Sequence, residues 1–498
     1  MKDLLRSDEK RRLKIAEILY EKNDWMSLTK IAEEVGSSIR SVKYDLEFFK
    51  DSLEDFTIET SSHGVRIYFH RNKSLRTLYS NILTHSLSFN LLEEIFLNET
   101  YSASELADLL FISPSSLYRM VDHINEVAEK HGIRVETNPC RVIGNEDRIR
   151  LFYYQYFYEK YIYLQKSDYK DNELIDNLIQ FAIFHTNYQI DFAFYGIVQI
   201  ISTINYIRFK NKHHTKISRS KINLERLMLD PSTLNASDEY FEKEIGSPIN
   251  YQLITQLFKP FVEIGYSLNY ESLMDKVNSD HRIAKEVNYL EEFLDELAAD
   301  HNLPIPNKEQ MILGIQNARH MEKSDPRMGY ILYDRNKSFA LDIETKFPNF
   351  YNQLCQGLKK YRKLCSLPDT DDGLNYLLYI TYSYWESLTL NLRKKYSKIK
   401  VLIVSNRHTA HSHMLRDFIS YDFSRQLEID VYLDVFLTTE ILEELEYDFI
   451  ISNFPLPPLK TKNTVLIENI PGAQDHAKIQ EEIYRIRENI RLNGDVLL

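Results

Sequence analysis

The stretch SELADLLFISPSSLYRMVDHINEVAEKHGIRVETNPCRVIG, residues 104–144, decides how the rest of the chain is read. Leu106, Leu110, Ile112, Leu117, Val121 and Ile124 recur at helical steps that break once, at Ile112-Ser113, so the spacing predicts two short helices meeting at a sharp turn. Ser113 is a good N-cap and Pro114 a good first helical residue, which gives the second helix a firm start. Its outward positions are Ser115, Ser116, Tyr118 and Arg119, all able to hydrogen-bond to phosphates or base edges as the second helix of a helix-turn-helix must. After Gly132, Ile133-Arg134-Val135 and Arg141-Val142-Ile143 flank a turn at Asn138-Pro139 and read as a two-stranded wing that carries Arg141.

The pattern occurs twice. A shift of 75 residues lays Ile31-Ala32 on Leu106-Ala107, Val35 on Leu110, Ser38 on Ser113, Val42 on Leu117 and Leu46 on Val121. The earlier copy has Ser27 as a cap, Gly36 as the left-handed turn residue and a recognition helix from Ser38 that exposes Arg40, Ser41, Lys43 and Tyr44. Its own hairpin, Thr57-Ile58-Glu59-Thr60 and Val65-Arg66-Ile67-Tyr68, turns at Ser62-His63-Gly64 and carries Arg66. A lone helix-turn-helix spacing arises by chance in helical cores; a tandem pair, each with a wing, points to duplex DNA.

The whole chain bounds these readings. At 498 residues it is too long for one core, and with 34 tyrosines, 13 glycines and 14 prolines it lacks the turn formers of an all-β protein, so a mostly helical multidomain chain is expected. The net charge of −12 excludes a protein that coats nucleic acid non-specifically, and residues 1–75 balance 14 Lys and Arg against 14 Asp and Glu. DNA binding must therefore come from local basic faces. Cys140, Cys355 and Cys365 form no metal-ligand or disulfide pattern and read as reduced thiols of a cytoplasmic protein, and no residue pattern calls for a metal or cofactor. The N-terminus is too charged for a signal peptide. The most apolar run, residues 192–207, carries Gln199, Ser202, Thr203 and Asn205 and reads as a buried helix rather than a membrane span.

Five domains are expected: winged units over 1–73 and 74–165, the second with a linking helix at 74–98; two all-helical blocks over 166–280 and 281–397; and a C-terminal α/β domain over 398–498. Each helical block has a long helix followed by Arg and His near a basic loop: Arg208 then His213-His214 in one, Arg319-His320 in the other. In the last domain, strands begin at Lys400, Ile429, Asp448 and Thr464 and alternate with helices, which implies a small parallel sheet. Ligands of such sheets sit at the strand C-terminal ends, here Ser405-Asn406-Arg407-His408 and Asn453.

Two winged units, two helical blocks with histidines near helix ends and a terminal α/β domain, in that order, resemble the Mga/AtxA-type virulence regulators of Gram-positive bacteria over essentially the whole chain. The most specific local match is Cys140-Arg141-Val142-Ile143-Gly144-Asn145-Glu146. The resemblance implies a transcriptional regulator, not an enzyme, that contacts promoter DNA through the winged units. It further implies that the helical blocks are phosphotransferase-system regulation domains (PRDs), that the tail is similar to sugar-permease enzyme IIB, and that the tail serves self-association, giving a homodimer. Family histidines are phosphorylated by the phosphocarrier protein of the sugar phosphotransferase system. The fitting positions here are His213 or His214 and His320, with His185 and His301 as lesser candidates. Expected counter-charges are Lys210, Lys212 and Lys216 at the first site and Arg319, Lys323 and Arg327 at the second. The tail departs from a phosphoryl-carrying IIB, since Ser405 stands where a nucleophilic cysteine belongs, and a serine without a base is a poor acceptor. Two rival functions follow from the same domains. An RNA-binding antiterminator would need a small RNA-binding β-domain at the N-terminus, and a phosphotransferase-system component would need the missing cysteine.

Overall fold

Local sequence sets the first helix-turn-helix. Ser27 accepts the Lys30 N–H at 3.3 Å and caps α2 (Leu28–Val35), and Gly36 ends it in the left-handed region at φ 63°. In a computed structural model of the chain, the described residues are 1–22, 24–52, 56–161, 175–176, 179–180, 191–216, 251–259, 261–324, 329–394, 398–424 and 426–492. Before α2 runs α1 (Ser7–Lys22); the spacing of Leu13, Ile15, Ile18 and Leu19 predicts a helix over 11–24, and it begins four residues earlier, with Asp8 and Glu9 in its first turn. The recognition helix α3 (Ile39–Ser52) follows, and then the hairpin β1 (Phe56–Ser61) and β2 (Gly64–Phe69). Ile31, Val42, Leu46, Phe56, Val65 and Ile67 are buried together, so both helices and the hairpin share one apolar interior.

The expected single linking helix is two helices, α4 (Leu75–His85) and α5 (Leu87–Leu97), broken at Ser86, whose extended backbone (φ −80°, ψ 120°) stops the first. The second unit then repeats the first: α6 (Ala103–Leu109), α7 (Pro114–Ala128), β3 (Ile133–Thr137) and β4 (Cys140–Gly144). Side-chain caps start both helices, the one at Ser113 as the sequence indicates. Ser102 and Glu105 form a reciprocal capping box on α6, and Ser113 accepts the Ser116 N–H at 3.2 Å on α7. Both hairpins are antiparallel and two-stranded, with Val135 and Val142 paired and buried in the second.

Asn145 caps α8 (Glu146–Lys160), a tyrosine- and phenylalanine-rich helix. Phe152, Tyr153 and Tyr156 are buried, and Phe152 and Tyr156 lie nearly parallel to one another, so these aromatics are core rather than a base-stacking platform. The apolar run becomes α9 (Phe192–Lys210), capped by Asp191, exposed at its start and buried mainly from Val198 to Arg208. Next come α10 (Tyr251–Leu257), α11 (Tyr270–Ser279), α12 (His281–Asp300), α13 (Lys308–Ser324), α14 (Arg335–Lys346), α15 (Pro348–Leu364), α16 (Asp371–Tyr384) and α17 (Leu388–Lys394). No helix among the described residues is long and apolar enough to cross a membrane. Most of residues 171–184, whose spacing predicts an amphipathic helix, together with His185 and Arg327, lies outside the described residues.

The chain divides into two compact units, one formed by residues 1–299 with 305–385 and the other by residues 300–304 with 386–498. The second contains a four-stranded parallel sheet in the order β6 (Leu427–Val431), β5 (Ile399–Val404), β7 (Phe449–Ser452), β8 (Asn463–Leu466). Around it lie α18 (Thr409–Phe423), α19 (Thr439–Glu444) and α20 (Ala473–Leu492). The period-two rule divides its core. Val401, Ile403 and Ile451 pack with Leu415, Ile419 and Ile479, whereas Leu402, Val404 and Ile450 pack with Leu442.

Met26 and Val65 bridge through paired backbone hydrogen bonds of 2.9 and 2.8 Å, which draws the strand start so close that a Cβ on Gly64 would lie 2.1 Å from the Met26 carbonyl oxygen. Gly64 also sits at φ 124°, a region costly to L-residues. Gly64→Ala is expected to lower stability by about 2 kcal/mol or more, read as a reduced urea midpoint with unchanged slope. A midpoint equal to the parent's would show that the bridge relaxes freely.

Candidate nucleic-acid interface and histidine sites

The two recognition helices start alike. Ser38 Oγ lies 2.9 Å from Ser41 Oγ, and Ser113 Oγ lies 2.8 Å from Ser116 Oγ, with the Ser41 and Ser116 N–H groups donating to the cap serines. Ser41 and Ser116 are half-buried and occupied with capping, whereas Arg40, Lys43, Tyr44, Ser115, Tyr118 and Arg119 are exposed. Under the 75-residue shift, Lys43-Tyr44 falls on Tyr118-Arg119, so each helix presents one cation and one tyrosine at neighbouring positions in reversed order. Arg40 falls on Ser115, which leaves the first helix with one more cation among these exposed N-terminal positions. Arg119 Nε donates to the Ser115 carbonyl at 3.3 Å and so lies along its own helix.

The wing arginines are held rather than free. Arg66 lies 3.5 Å from Glu59 and stacks over the Trp25 and Tyr68 rings, at 4.9 and 4.1 Å from their centroids. Arg141 pairs across its hairpin with Glu136 at 2.7 Å. Each must exchange a carboxylate for a phosphate to contact DNA, which makes both weaker candidates than the recognition-helix residues.

The charges at the first histidine site differ from the sequence expectation. His213 Nε2 lies 2.7 Å from Glu99 Oε2, in the loop between α5 and α6, rather than amid Lys210, Lys212 and Lys216. Glu99 also accepts from Arg208 Nη1 at 2.6 Å. Arg208, with a side chain only 1% exposed, donates Nη2 to Glu146 at 2.7 Å and to the Val142 carbonyl of β4 at 3.2 Å. Glu146 further accepts Arg150 Nε at 2.9 Å, and Arg150 reaches Asn205, Gln256 and the His213 carbonyl. Five charged or ionisable side chains from α5–α6, α8 and the end of α9 thus close one buried network. Burial alone would raise the Glu146 carboxyl, but the hydrogen bond and charge of Arg208, with Arg150, outweigh it and hold its pKa below the usual value. His214 is exposed and packs edge-on against the Phe209 ring.

The second site is corrected in the same sense. His320 on α13 faces Glu263 at 3.1 Å, while Arg319 is buried against Glu286 at 2.7 Å and is no counter-charge for its neighbour. Glu263 lies 3.9 Å from Lys259, and Lys259 pairs with Asp147 at 2.7 Å. Asp147 is the residue after Glu146, so both histidine sites lead by charged contacts to the first turn of α8, immediately behind the second wing. The partner carboxylates Glu99 and Glu263 were missed because neither lies near its histidine in sequence. His301 is half-buried in the turn after α12.

In the α/β unit the strand ends meet as expected, and one expectation is overturned. Ser405 does have a base. His411 Nδ1 lies 2.9 Å from Ser405 Oγ, and His411 Nε2 lies 2.9 Å from the Asn469 carbonyl. A carbonyl only accepts, so in neutral His411 the proton sits on Nε2 and Nδ1 accepts from the Ser405 hydroxyl. Asn453 joins the cluster by donating to Asn406 at 2.9 Å and Asn469 at 2.8 Å.

Comparison with known proteins agrees with this geometry. Residues 6–63 match the M protein trans-acting positive regulator (MGA) HTH domain, residues 71–157 the Mga helix-turn-helix domain, and residues 171–388 the M protein trans-acting positive regulator (MGA) PRD domain. A Streptococcus pneumoniae serotype 4 protein described as a trans-acting regulator is 27% identical, over 94% of this chain and 96% of its own length. The capsule synthesis positive regulator AcpA of Bacillus anthracis is 22% identical, over 95% of this chain and 99% of its own. The anthrax toxin expression trans-acting positive regulator of Bacillus anthracis is 21% identical, over 96% and 99%.

The buried network makes an acid response predictable. A carboxylate depressed in the folded state contributes stability that is fully present above its unfolded value, 4.5 for Glu146, and is lost as pH falls through its lower folded value. Glu146→Gln leaves Arg208 and Arg150 short of a buried partner and is expected to cost about 3 kcal/mol at pH 7. Its further loss between about pH 5 and pH 3 should be smaller than the parent's. Urea titrations at those pH values check both; equal acid losses would remove Glu146 from the response.

Proposed function

The chain belongs to the Mga family of trans-acting transcriptional regulators, and from that premise we propose a division of labour between its two DNA-binding heads and a cis-acting joint that couples them to the PRD region. The observation that carries the first part is the pairing of Lys43-Tyr44 with Tyr118-Arg119 on capped, exposed recognition helices. The first head, with Arg40 and Lys43, anchors on phosphates. The second, with Ser115, Tyr118 and Arg119, reads base edges. Because the two Bacillus anthracis relatives carry names of positive regulators, this chain is proposed to activate transcription, working on promoter DNA in the cytoplasm.

Regulation is proposed to act through His213, with His320 second, and the phosphocarrier protein of the sugar phosphotransferase system as donor. A phosphoryl group on His213 Nε2 would add about −1.5 to −2 charge where Glu99 now sits. That repels the carboxylate and frees Arg208 from one of its two carboxylate partners, loosening the joint behind the second wing. The α/β unit is proposed to be enzyme IIB-like and to carry homodimer contacts, with the joint rather than the dimer interface as the first responder to phosphate.

Duplexes selected by the full-length chain from a random pool provide the test. Tyr118→Ala and Arg119→Ala should each cost about 1–3 kcal/mol on the selected duplex and little on unselected DNA. Arg40→Ala and Lys43→Ala should weaken all duplexes and reduce the salt slope by about one phosphate each. Tighter binding to same-sequence RNA would favour the antiterminator reading instead.

The joint has its own readout. After incubation with the phosphocarrier system, amide hydrogen exchange in residues 99–103 and 205–216 should accelerate in the parent and stay unchanged in His213→Gln. A chain that carries phosphate at His213 without faster exchange there would sink the cis-acting joint.

A further inference from the structure

The two helix-turn-helix turns are built alike and filled differently. In the first, Gly36 takes φ 63°, its N–H reaches the Glu33 carbonyl at 3.1 Å, and the Ser37 N–H reaches the Ala32 carbonyl at 2.9 Å. In the second, 75 residues later, Phe111 takes φ 55°, its N–H reaches the Asp108 carbonyl at 3.1 Å, and the Ile112 N–H reaches the Ala107 carbonyl at 3.0 Å. The same left-handed turn therefore holds glycine in one copy and phenylalanine in the other. Glycine enters that region without a Cβ clash, whereas an L-residue with a bulky side chain is strained there.

The fold gains nothing from the ring in return. Phe111 is 95% exposed, and Leu109 at 42% and Tyr118 at 49% are exposed on the elements either side of it. A strained backbone around a side chain that packs on nothing marks a residue kept for an external contact. Its position says which contact. Two residues on, Ser113 caps α7, and a recognition helix enters the major groove by its N-terminal residues, so the turn before it is carried to the groove edge. We propose that Phe111 contacts DNA, its ring packing with Leu109 and Tyr118 against thymine methyl groups beside the bases read by α7. This gives the second head an apolar element of sequence preference that the first, with Gly36, lacks. The inference rests on the reading of α7 as a recognition helix.

The test uses the full-length chain, a duplex it selects from a random pool, and the same duplex with thymines replaced by deoxyuridine, which lacks the methyl group. Phe111→Gly and Phe111→Asn both suit a left-handed residue, so each should melt at the parent's temperature or higher while binding the selected duplex about fivefold to tenfold more weakly. The salt slope should not change, because no phosphate contact is lost. Deoxyuridine should weaken the parent and leave Phe111→Gly nearly unaffected. Unchanged affinity of both variants overturns the proposal, even if promoter output falls, because that pattern indicates a protein partner. A lowered melting temperature overturns it by making the ring structural, and equal deoxyuridine sensitivity of parent and variant overturns the methyl contact. Arg119→Ala separates the two levels. If it weakens binding where Phe111→Gly does not, only this inference fails; if neither does, α7 is not the recognition helix.

Discussion

Arg208 carries a positive charge into a place with almost no water, and the arrangement of the larger unit follows from how that charge is balanced. Its partners are Glu99 and Glu146, one before and one after the second winged head, together with the Val142 carbonyl of the wing itself. Removing a guanidinium from solvent costs several kcal/mol, which is recovered only with close, fully hydrogen-bonded counter-charges. Here the counter-charges belong to the head and the cation to the regulatory helices. Neither part can separate without leaving an uncompensated buried ion, so head and helices form one body where length alone would suggest separable domains.

The other end of α8 is fastened by the inverse device. Glu159 is buried and accepts the backbone N–H groups of Ile331, Leu332 and Tyr333 at 2.5, 2.8 and 3.3 Å. Burial raises its carboxyl pKa even against those three donors. One helix thus reaches the end of α9 through its N-terminal turn and the loop before α14 through its C-terminal turn. The aromatic stripe between those ends, which includes Tyr153 and Tyr156, supplies the packing that keeps the two attachments in register. Each histidine site connects to this helix through two intervening side chains: His213 reaches Glu146 through Glu99 and Arg208, and His320 reaches Asp147 through Glu263 and Lys259.

The sequence was most legible where structure is decided within one or two turns. The caps at Ser27 and Ser113, the two hairpins and the alternation of the parallel sheet all follow from neighbouring residues, whereas the caps at Ser102, Asn145 and Asp191, equally local, went unread. The break at Ser86 was hidden because apolar residues continue on both sides of it, so periodicity runs through a bend made only by backbone angles. The histidine environments were misread for the opposite reason. Lysines and arginines adjacent in sequence project around a helix, and Arg319 turns into the core to meet Glu286, whereas the real partners lie on other elements. The base for Ser405 was six residues away, on the first turn of α18, and needed the loop to fold back before it came within reach.

Duplication explains why the two heads can differ so much on a common frame. The turn needs one left-handed residue and two backbone hydrogen bonds, and both copies have them. A non-glycine residue there costs about 1–2 kcal/mol, a small sum beside the apolar interior that runs from Leu4 through α8 into α10. Stability drawn from that shared interior lets one head hold a strained, exposed aromatic without unfolding. The copy with glycine and an extra arginine is the cheaper fold and the more electrostatic surface; the copy with phenylalanine and serine gives up a cation and takes on strain. Charge attracts all duplexes about equally, which is why the proposed division of labour assigns discrimination between sequences to the head that carries less of it.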